Sequence, residues 1–380
     1  MSQFTPVGPV EYVAEAAKCD KEYEKLMNYT VCCYYDYEYD PFYYYGYLYL
    51  LPIITIIGTI GSLLSFFVFT RKQMRTSSLN IYLAVLSLHD LVFTDLGTLY
   101  LATRELCHIQ GRYPESKICQ FYWWHYPACL GIMNIIRVSS IYICIAVTVD
   151  RYIAVKYPFR YKIWGSPRRA IIVLTCITIT SMVYKFPVFF ELTRDLCGRK
   201  VLSEFAKSYI YFYVYDNYVY ILTNLIIPWV IMLILNINVL KIIRKIYRNR
   251  EITKNAKNED EKHLRRITLM SLTLVTNFLV FNTLEAFKFL DRLIGVEGFK
   301  FPDWVDPVSN ILLIFNSAFN FVIYALFNKV FRRMFFQMLY GYNLMTNTKA
   351  SNNIHPTFIT GNLPITTKVS TLRRHTRDQI

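Results

Sequence analysis

The chain has 380 residues, of which 54% are hydrophobic and 17% aromatic, which excludes an ordinary soluble domain of this length. Its formal charge of +15 would suit a nucleic-acid partner, but the cations are spread through the gaps between apolar runs, and that placement excludes the reading. No Gly-rich phosphate loop, HExxH pair or nucleophile elbow marks an enzyme.

Residues 1–45 read as an acidic arm. Glu11, Glu15, Asp20, Glu22, Glu24, Asp36, Glu38 and Asp40 stand against Lys18, Lys21 and Lys25. Nine tyrosines crowd residues 34–49. The tyrosines beside Asp36, Glu38 and Asp40 have the acidic context that sulfation favours, though a plain solvated arm explains them as well. The later ones predict an interfacial aromatic belt. Asn28-Tyr29-Thr30 is a glycosylation sequon.

Seven apolar runs follow, at 46–70, 79–103, 125–149, 169–190, 218–240, 267–290 and 304–326. Each is long enough to cross a bilayer as a helix. This predicts an all-α membrane protein: a seven-transmembrane helix bundle over residues 46–340, closed by a short amphipathic eighth helix. Arg71, Lys72 and Arg75 follow the first run; Lys156, Arg160, Lys162, Arg168 and Arg169 follow the third; Lys241, Arg244, Lys245, Arg248 and Arg250 follow the fifth. By the positive-inside rule those gaps are cytoplasmic, so the N-terminus lies outside. All nine cysteines fall at or before Cys197, and most lie near the oxidising side.

The first run holds Gly58, Gly61 and Ser62, small residues that let helices approach closely. The second ends its Leu86-Ser87-Leu88 stretch in His89-Asp90. A carboxylate in mid-membrane is costly, which makes Asp90 a functional candidate. His89 reads as an interhelical hydrogen-bonding residue, since no second histidine or cysteine stands at metal-ligand spacing. Asp95 is rotated away from Asp90, toward the expected ligand cavity.

The third run reads SSIYICIAVTVDRYIAVKYPF from Ser139 to Phe159. It ends in Asp150-Arg151-Tyr152, a fixed positive charge beside its counter-charge where hydrocarbon gives way to water. With other apolar runs on both sides, this stretch resembles the third helix of rhodopsin-like (class A) G protein-coupled receptors. The resemblance implies that Asp150, Arg151, Tyr152, Asn320 and Tyr324 serve G protein coupling. It also places Asp90, Ser140, Asn316, Ser317 and Asn320 around a buried sodium ion, an oxygen set suited to a hard monovalent cation. It implies a bridge from Cys197 to the outer end of the third helix. Tyr126 stands where counting back from Arg151 expects the cysteine, which makes Cys119 the first partner and Cys129 the second.

Arg137 lies about four turns above Arg151, and Glu285 and Lys288 lie one turn apart near the outer end of the sixth run. Arg137 and Glu285 either line a peptide pocket or form an internal ion pair, and both can hold at once. The expected ligand pocket comprises Asp95, Asn134, Arg137, Asn282, Glu285 and Lys288. The fifth run contains Pro228, which allows a bend. In the sixth, Asn282 and Leu284 replace the family's usual tryptophan and proline, so its toggle must work differently. The seventh reads Asn316-Ser317-Ala318-Phe319-Asn320-Phe321-Val322-Ile323-Tyr324, with Phe321 in place of proline. These departures, with Pro187 before Phe189-Phe190-Glu191, resemble the invertebrate FMRFamide-type neuropeptide receptors.

The resemblance implies a plasma-membrane receptor for an extracellular amidated peptide that signals through heterotrimeric G proteins, with arrestin and a receptor kinase as further partners and no nucleic acid. A chemosensory receptor for a small molecule and an ion-coupled transporter are the alternative readings. The transporter would show an inverted repeat or a pair of broken helices. Phe327 to Leu339 predicts a basic amphipathic helix on the inner leaflet. Residues 341–380 are polar and rich in Ser and Thr, which predicts a disordered cytoplasmic tail.

Overall fold

The computed structural model describes residues 40–110, 116–194, 200–251, 259–294 and 301–340. The arm to residue 39, with Asn28, lies outside the described residues, as do Cys197 and the tail from 341. Among the described residues, six helices are long and apolar enough to cross a membrane. These are span one (Pro41–Phe69), two (Ser78–Cys107), three (Lys117–Lys156), four (Pro167–Phe190), five (Ile210–Lys245) and seven (Val305–Phe327). Span six is divided at Asn282 into Glu259–Phe281 and Thr283–Ile294. Asn282 Nδ2 donates to the Phe278 carbonyl at 2.7 Å, the same oxygen that accepts from the Asn282 backbone N–H at 3.1 Å. A side chain bonding back one turn competes with the ladder and bends the helix, so the break falls at Asn282 without a proline.

Span three is the axis of the bundle. At 1.5 Å per residue its 40 residues run about 60 Å. Its buried face repeats at helical spacing through Tyr126, Leu130, Met133, Val138, Ile141, Cys144, Val147 and Arg151. Among the described residues the core has two large apolar clusters and a small third one at Tyr220 and Ile221. The first gathers Phe69, Leu83, Ile143, Tyr324 and Phe331, and the second Tyr47, Leu101, Tyr126, Met133 and Ile314. Asp90 falls between Leu86 of the first and Phe93 of the second. Ile53, Ile56, Ile57 and Ile60 of span one face outward, as do Ile171, Ile172 and Val183 of span four, the apolar coat that lipid covers.

Span one starts earlier than its hydropathy suggests. Asp40 caps it, accepting from the Phe42 N–H at 2.7 Å. The membrane-proximal tyrosines divide. Tyr45 and Tyr49 are exposed as an aromatic belt would be, while Tyr47 is fully buried, with its hydroxyl accepting from Asn310 Nδ2 at 2.7 Å. The Arg104 guanidinium stands 5.6 Å from the Tyr43 ring and 5.7 Å from the Tyr47 ring.

Two stretches are wound as π-helix: Gly46–Leu50 in span one, and Ile210–Val219 with Ile221–Ile226 in span five. Each runs into an α-helix whose second residue is a proline, Pro52 and Pro228. Proline has no N–H to give, so the i→i−4 ladder is already interrupted there. The expected bend at Pro228 takes the form of a change of winding.

Beyond span four, Leu192–Arg194 (β1) and Lys200–Leu202 (β2) form an antiparallel pair with Thr193 opposite Val201. A short helix, Pro158–Trp164, follows span three. The last described helix, Lys329–Tyr340, turns off span seven at Asn328, whose Oδ1 accepts from the Phe331 N–H at 3.0 Å. Arg332 donates to the Ala325 carbonyl at 2.9 Å, answering the open end of span seven.

Spans one and seven meet at glycines. A Cβ added at Gly58 would lie 2.8 Å from Ala318 Cβ and 3.2 Å from Ala318 Cα. Gly58→Ala is expected to force the spans apart and cost about 1–3 kcal/mol. Thermal unfolding in detergent checks it: the midpoint should fall, and adding Ala318→Gly should recover part of the loss.

Candidate functional site

At the C-terminal end of span three the charges are enclosed. Arg151 is 5% exposed and Asp150 9%. Arg151 Nε donates to Asp150 Oδ2 at 3.1 Å, and Nη2 bonds the same oxygen. Nη2 also donates to the Tyr161 hydroxyl at 2.7 Å, and that hydroxyl donates to Asp150 Oδ2 at 3.1 Å. Ser78 closes the ring from span two, donating to Asp150 Oδ1 at 2.6 Å. The guanidinium stands 5.6 Å over the Tyr161 ring. Burial holds the Tyr161 phenol above its ordinary pKa, so it keeps the proton that the clamp uses. Gly165 makes room for this ring, since a Cβ there would come within 2.6 Å of it.

The other expected coupling residues lie elsewhere. Tyr152 accepts from Lys156 and stands under its ammonium at 5.0 Å. Tyr324 is packed between Phe69 and Phe331, ring centroids 5.0 and 5.9 Å away. Asn320 donates to Asp90 Oδ2 at 2.8 Å.

Above the clamp lies a small cavity of about 50 Å³. Asp90, Ser140, Asn316, Ser317 and Asn320 all line it, so the five expected sodium ligands do converge. The carboxylate is 4% exposed. One carboxylate among neutral oxygens fits a hard monovalent cation. Among the described residues, no three His, Cys, Asp or Glu side chains gather as a metal group. His89 makes the interhelical bond expected of it, 3.3 Å from Ser140 Oγ. Asn277 of span six donates to Asn316 Oδ1 at 3.0 Å, a link across the helices that the sequence reading missed.

Arg137 lines this cavity and a second, smaller one of about 20 Å³ lined also by Tyr220, Asn224, Trp229, Asn282 and Glu285. Its Nη2 forms an ion pair with Glu285 and donates to Asn282 Oδ1 at 3.4 Å. The internal pair is therefore real, and Arg137 also faces open space. Its Nε and Nη1 have no hydrogen-bond partner among the described residues. An unanswered buried donor costs about 1–3 kcal/mol, so these two N–H groups are ready for an acceptor.

Three further residues of the expected ligand pocket have partners within the bundle. Asp95 turns to span one and accepts from the Thr59 hydroxyl. Asn134 spends its amide on its own helix, donating to the Leu130 carbonyl at 3.0 Å. Lys288 pairs with Asp306 at the head of span seven. Each found a partner on a neighbouring turn or helix, which spacing along one strand of sequence does not reveal.

The expected Cys119–Cys197 bridge is also corrected. Cys119 bonds Cys107, with the Cα atoms 5.6 Å apart, tying the outer ends of spans two and three. The two cysteines face each other across the loop that joins the helices, so Cys119 is already used. Tyr126, standing where the cysteine was expected, stacks on Tyr100 at 4.5 Å and shares a 2.8 Å hydroxyl bond with it. Ser78 and Tyr161 were missed because nothing in their own segments is unusual. Lys185 and Asp216 carried a visible signal, a charge at membrane depth.

The family model of the 7 transmembrane receptor (rhodopsin family) matches residues 62–324. The chain belongs to this family. It is thus a multi-pass membrane protein built as a seven-helix receptor bundle. Over 305 residues it is 28% identical to the FMRFamide receptor of Drosophila melanogaster, covering 75% of this chain and 52% of that protein. It is 25% identical to the FMRFamide peptide receptor frpr-18 of Caenorhabditis elegans, covering 74% of this chain and 66% of that one. It is 23% identical to the type-1 angiotensin II receptor A of Xenopus laevis, covering 83% and 85%. The chain spans about half the length of the Drosophila relative.

In this receptor bundle, losing one partner of the Arg137–Glu285 pair leaves the other buried and unanswered. Glu285→Gln is expected to cost about 3–5 kcal/mol. The double variant Arg137→Met, Glu285→Leu, with no charge left, should unfold close to the native midpoint in detergent.

Proposed function

We propose that the chain is a G protein-coupled receptor of the plasma membrane, opened from outside by an amidated neuropeptide of the FMRFamide kind. The N-terminus lies outside and the C-terminus in the cytosol, a reading that the basic gaps after the first, third and fifth runs support. The observation that carries this reading is Arg151, clamped by Asp150 and Tyr161 at the end of the same helix that presents Arg137 to the two cavities. A peptide offers carbonyl oxygens to the unanswered Arg137 donors. By binding the open bundle better than the closed one it would shift the population and release Arg151 to a heterotrimeric G protein.

Asp90 with Ser140, Asn316, Ser317 and Asn320 would hold a sodium ion in the closed state, where the ion supplies a positive charge against the buried carboxylate. The helix Lys329–Tyr340, with Phe331 buried and Phe336 exposed, would rest on the inner leaflet. Arrestin and a receptor kinase would act on the tail beyond it.

Nucleotide exchange on G protein, in membranes containing the receptor, tests the switch against a panel of amidated peptides. Arg151→Ala is expected to abolish exchange while peptide binding persists; undiminished exchange would remove Arg151 from the role. Tyr161→Phe loses two charge-assisted bonds, each of about 1.5–3 kcal/mol, and should raise peptide-free exchange by roughly tenfold or more. Asp90→Asn should remove the dependence of agonist affinity on sodium concentration, read by titrating peptide in sodium against choline chloride.

A further inference from the structure

Span four ends in a charge that the receptor reading leaves without a task. Lys185 occupies the last turn of Pro167–Lys185 and is 1% exposed. Its Nζ lies 4.4 Å from the Tyr220 ring, 4.9 Å from Tyr184 and 5.5 Å from Tyr215. Asp216 and Glu191, both buried, attract it. Aromatic faces around a desolvated ammonium are the arrangement by which proteins recognise cations.

The walls of this box are braced by bonds that do not involve the lysine. The Tyr215 hydroxyl donates to the Tyr184 carbonyl. Asn224 Nδ2 donates to the Tyr184 hydroxyl at 3.1 Å. The Tyr211 hydroxyl donates to Glu191 Oε2 at 3.2 Å, and the Tyr211 and Tyr215 rings stack at 5.1 Å.

The winding of span five assembles it. Tyr215 and Tyr220 are five residues apart, as are Tyr211 and Asp216. In an α-helix of 3.6 residues per turn such pairs point about 140° apart. The i→i+5 bonding of the π stretches Ile210–Val219 and Ile221–Ile226 sets one nearly above the other. Tyr220 also lines the second cavity with Arg137 and Glu285, so one ring is the wall between box and cavity.

We infer that Tyr184, Tyr215 and Tyr220, backed by Asp216 and Glu191, form a cation-recognition cage in the outer half of the bundle. Lys185 is its tethered resident, and the guanidinium or ammonium of a bound ligand takes its place. The cage itself does not depend on the peptide reading; the exchange of Lys185 for a peptide arginine rests on it.

Lys185→Met, uncharged and one atom shorter, vacates the position of Nζ between the rings. Purified full-length variant and native receptor are heated in detergent with n-butylammonium, methylguanidinium or neutral n-butanol. The two cations are expected to raise the midpoint of Lys185→Met and leave the native protein unmoved. A folded variant that ignores the cations, or a native protein that responds equally, overturns the cage. Peptide exchange is read separately, with Phe-Met-Arg-Phe-amide and its citrulline analogue. Lys185→Met should bind the arginine peptide about tenfold more tightly and the analogue unchanged; equal gains for both overturn the exchange. Tyr220→Leu keeps the lysine and removes the shared wall, so it serves if Lys185→Met does not fold. It is expected to lower discrimination between the two peptides about tenfold, and unchanged discrimination overturns the proposal. Cation rescue in Lys185→Met without binding of either peptide would leave the cage standing and sink the peptide reading instead.

Discussion

Two guanidinium groups on one buried helix set the terms for the rest of this bundle. Arg137 and Arg151 are fourteen residues apart on span three, about 21 Å along its axis. Neither can lose its proton, and neither can stand uncompensated in hydrocarbon. Each therefore recruits partners from other elements. Arg151 takes Asp150 from its own helix and Tyr161 from the short helix beyond it, and Ser78 of span two joins through Asp150. Arg137 takes Glu285 and Asn282 from span six. The arginines thereby decide which helices must be near span three at which depth. The apolar clusters on either side of Asp90 then pack what the charges have aligned.

The partners are also what makes the arrangement switchable. An apolar contact can slide, but a buried charge-assisted bond is either made or lost at about 1.5–3 kcal/mol each. Converting a population from 1:99 to 99:1 needs a differential of about 5.5 kcal/mol. The clamp on Arg151 holds only a few such bonds, so its total strength is of that order. A peptide with nanomolar affinity has about 12 kcal/mol of binding free energy, of which half, expressed only in the open state, would suffice. A clamp built from many more bonds could not be opened from outside, and one built from a single bond would not stay closed.

Much of this was legible in the sequence. The seven runs, the basic gaps and Asp150-Arg151 are local features, and locality is what a sequence states directly. Asp90 with Ser140, Asn316, Ser317 and Asn320 was legible through resemblance, and one cavity does collect them. What was not legible shares a cause. Asp95, Asn134 and Lys288 are polar groups at roughly the right height, but the direction of each side chain depends on a neighbour: Thr59, the Leu130 carbonyl or Asp306. Cys119 met Cys107 because the loop between them is short, whatever the relatives do. Span five defeated the pattern in a different way. Helical periodicity assumes 3.6 residues per turn, and residues 210–226 are not wound at that pitch, so the face on which Tyr211, Tyr215, Asp216 and Tyr220 gather is invisible to an α-helical reading.

Seen from the ligand's side, the outer half of the bundle holds few vacant charges. Glu285 already has Arg137, Asp306 already has Lys288, and the tyrosine box already has Lys185. An arriving cation would find no open carboxylate at these positions, and must displace a cation of the protein. Exchange differs from filling in one physical respect. The desolvation of the acids and rings is met at folding rather than at binding, so the net gain is the difference between two cations in the same place. That difference is small for a free ammonium ion. It becomes large only when the rest of the ligand supplies contacts of its own, such as carbonyls for the two unanswered donors of Arg137. On the proposed reading, a bundle arranged in this way would discard salt and small amines and respond to a molecule that carries its cation on a backbone.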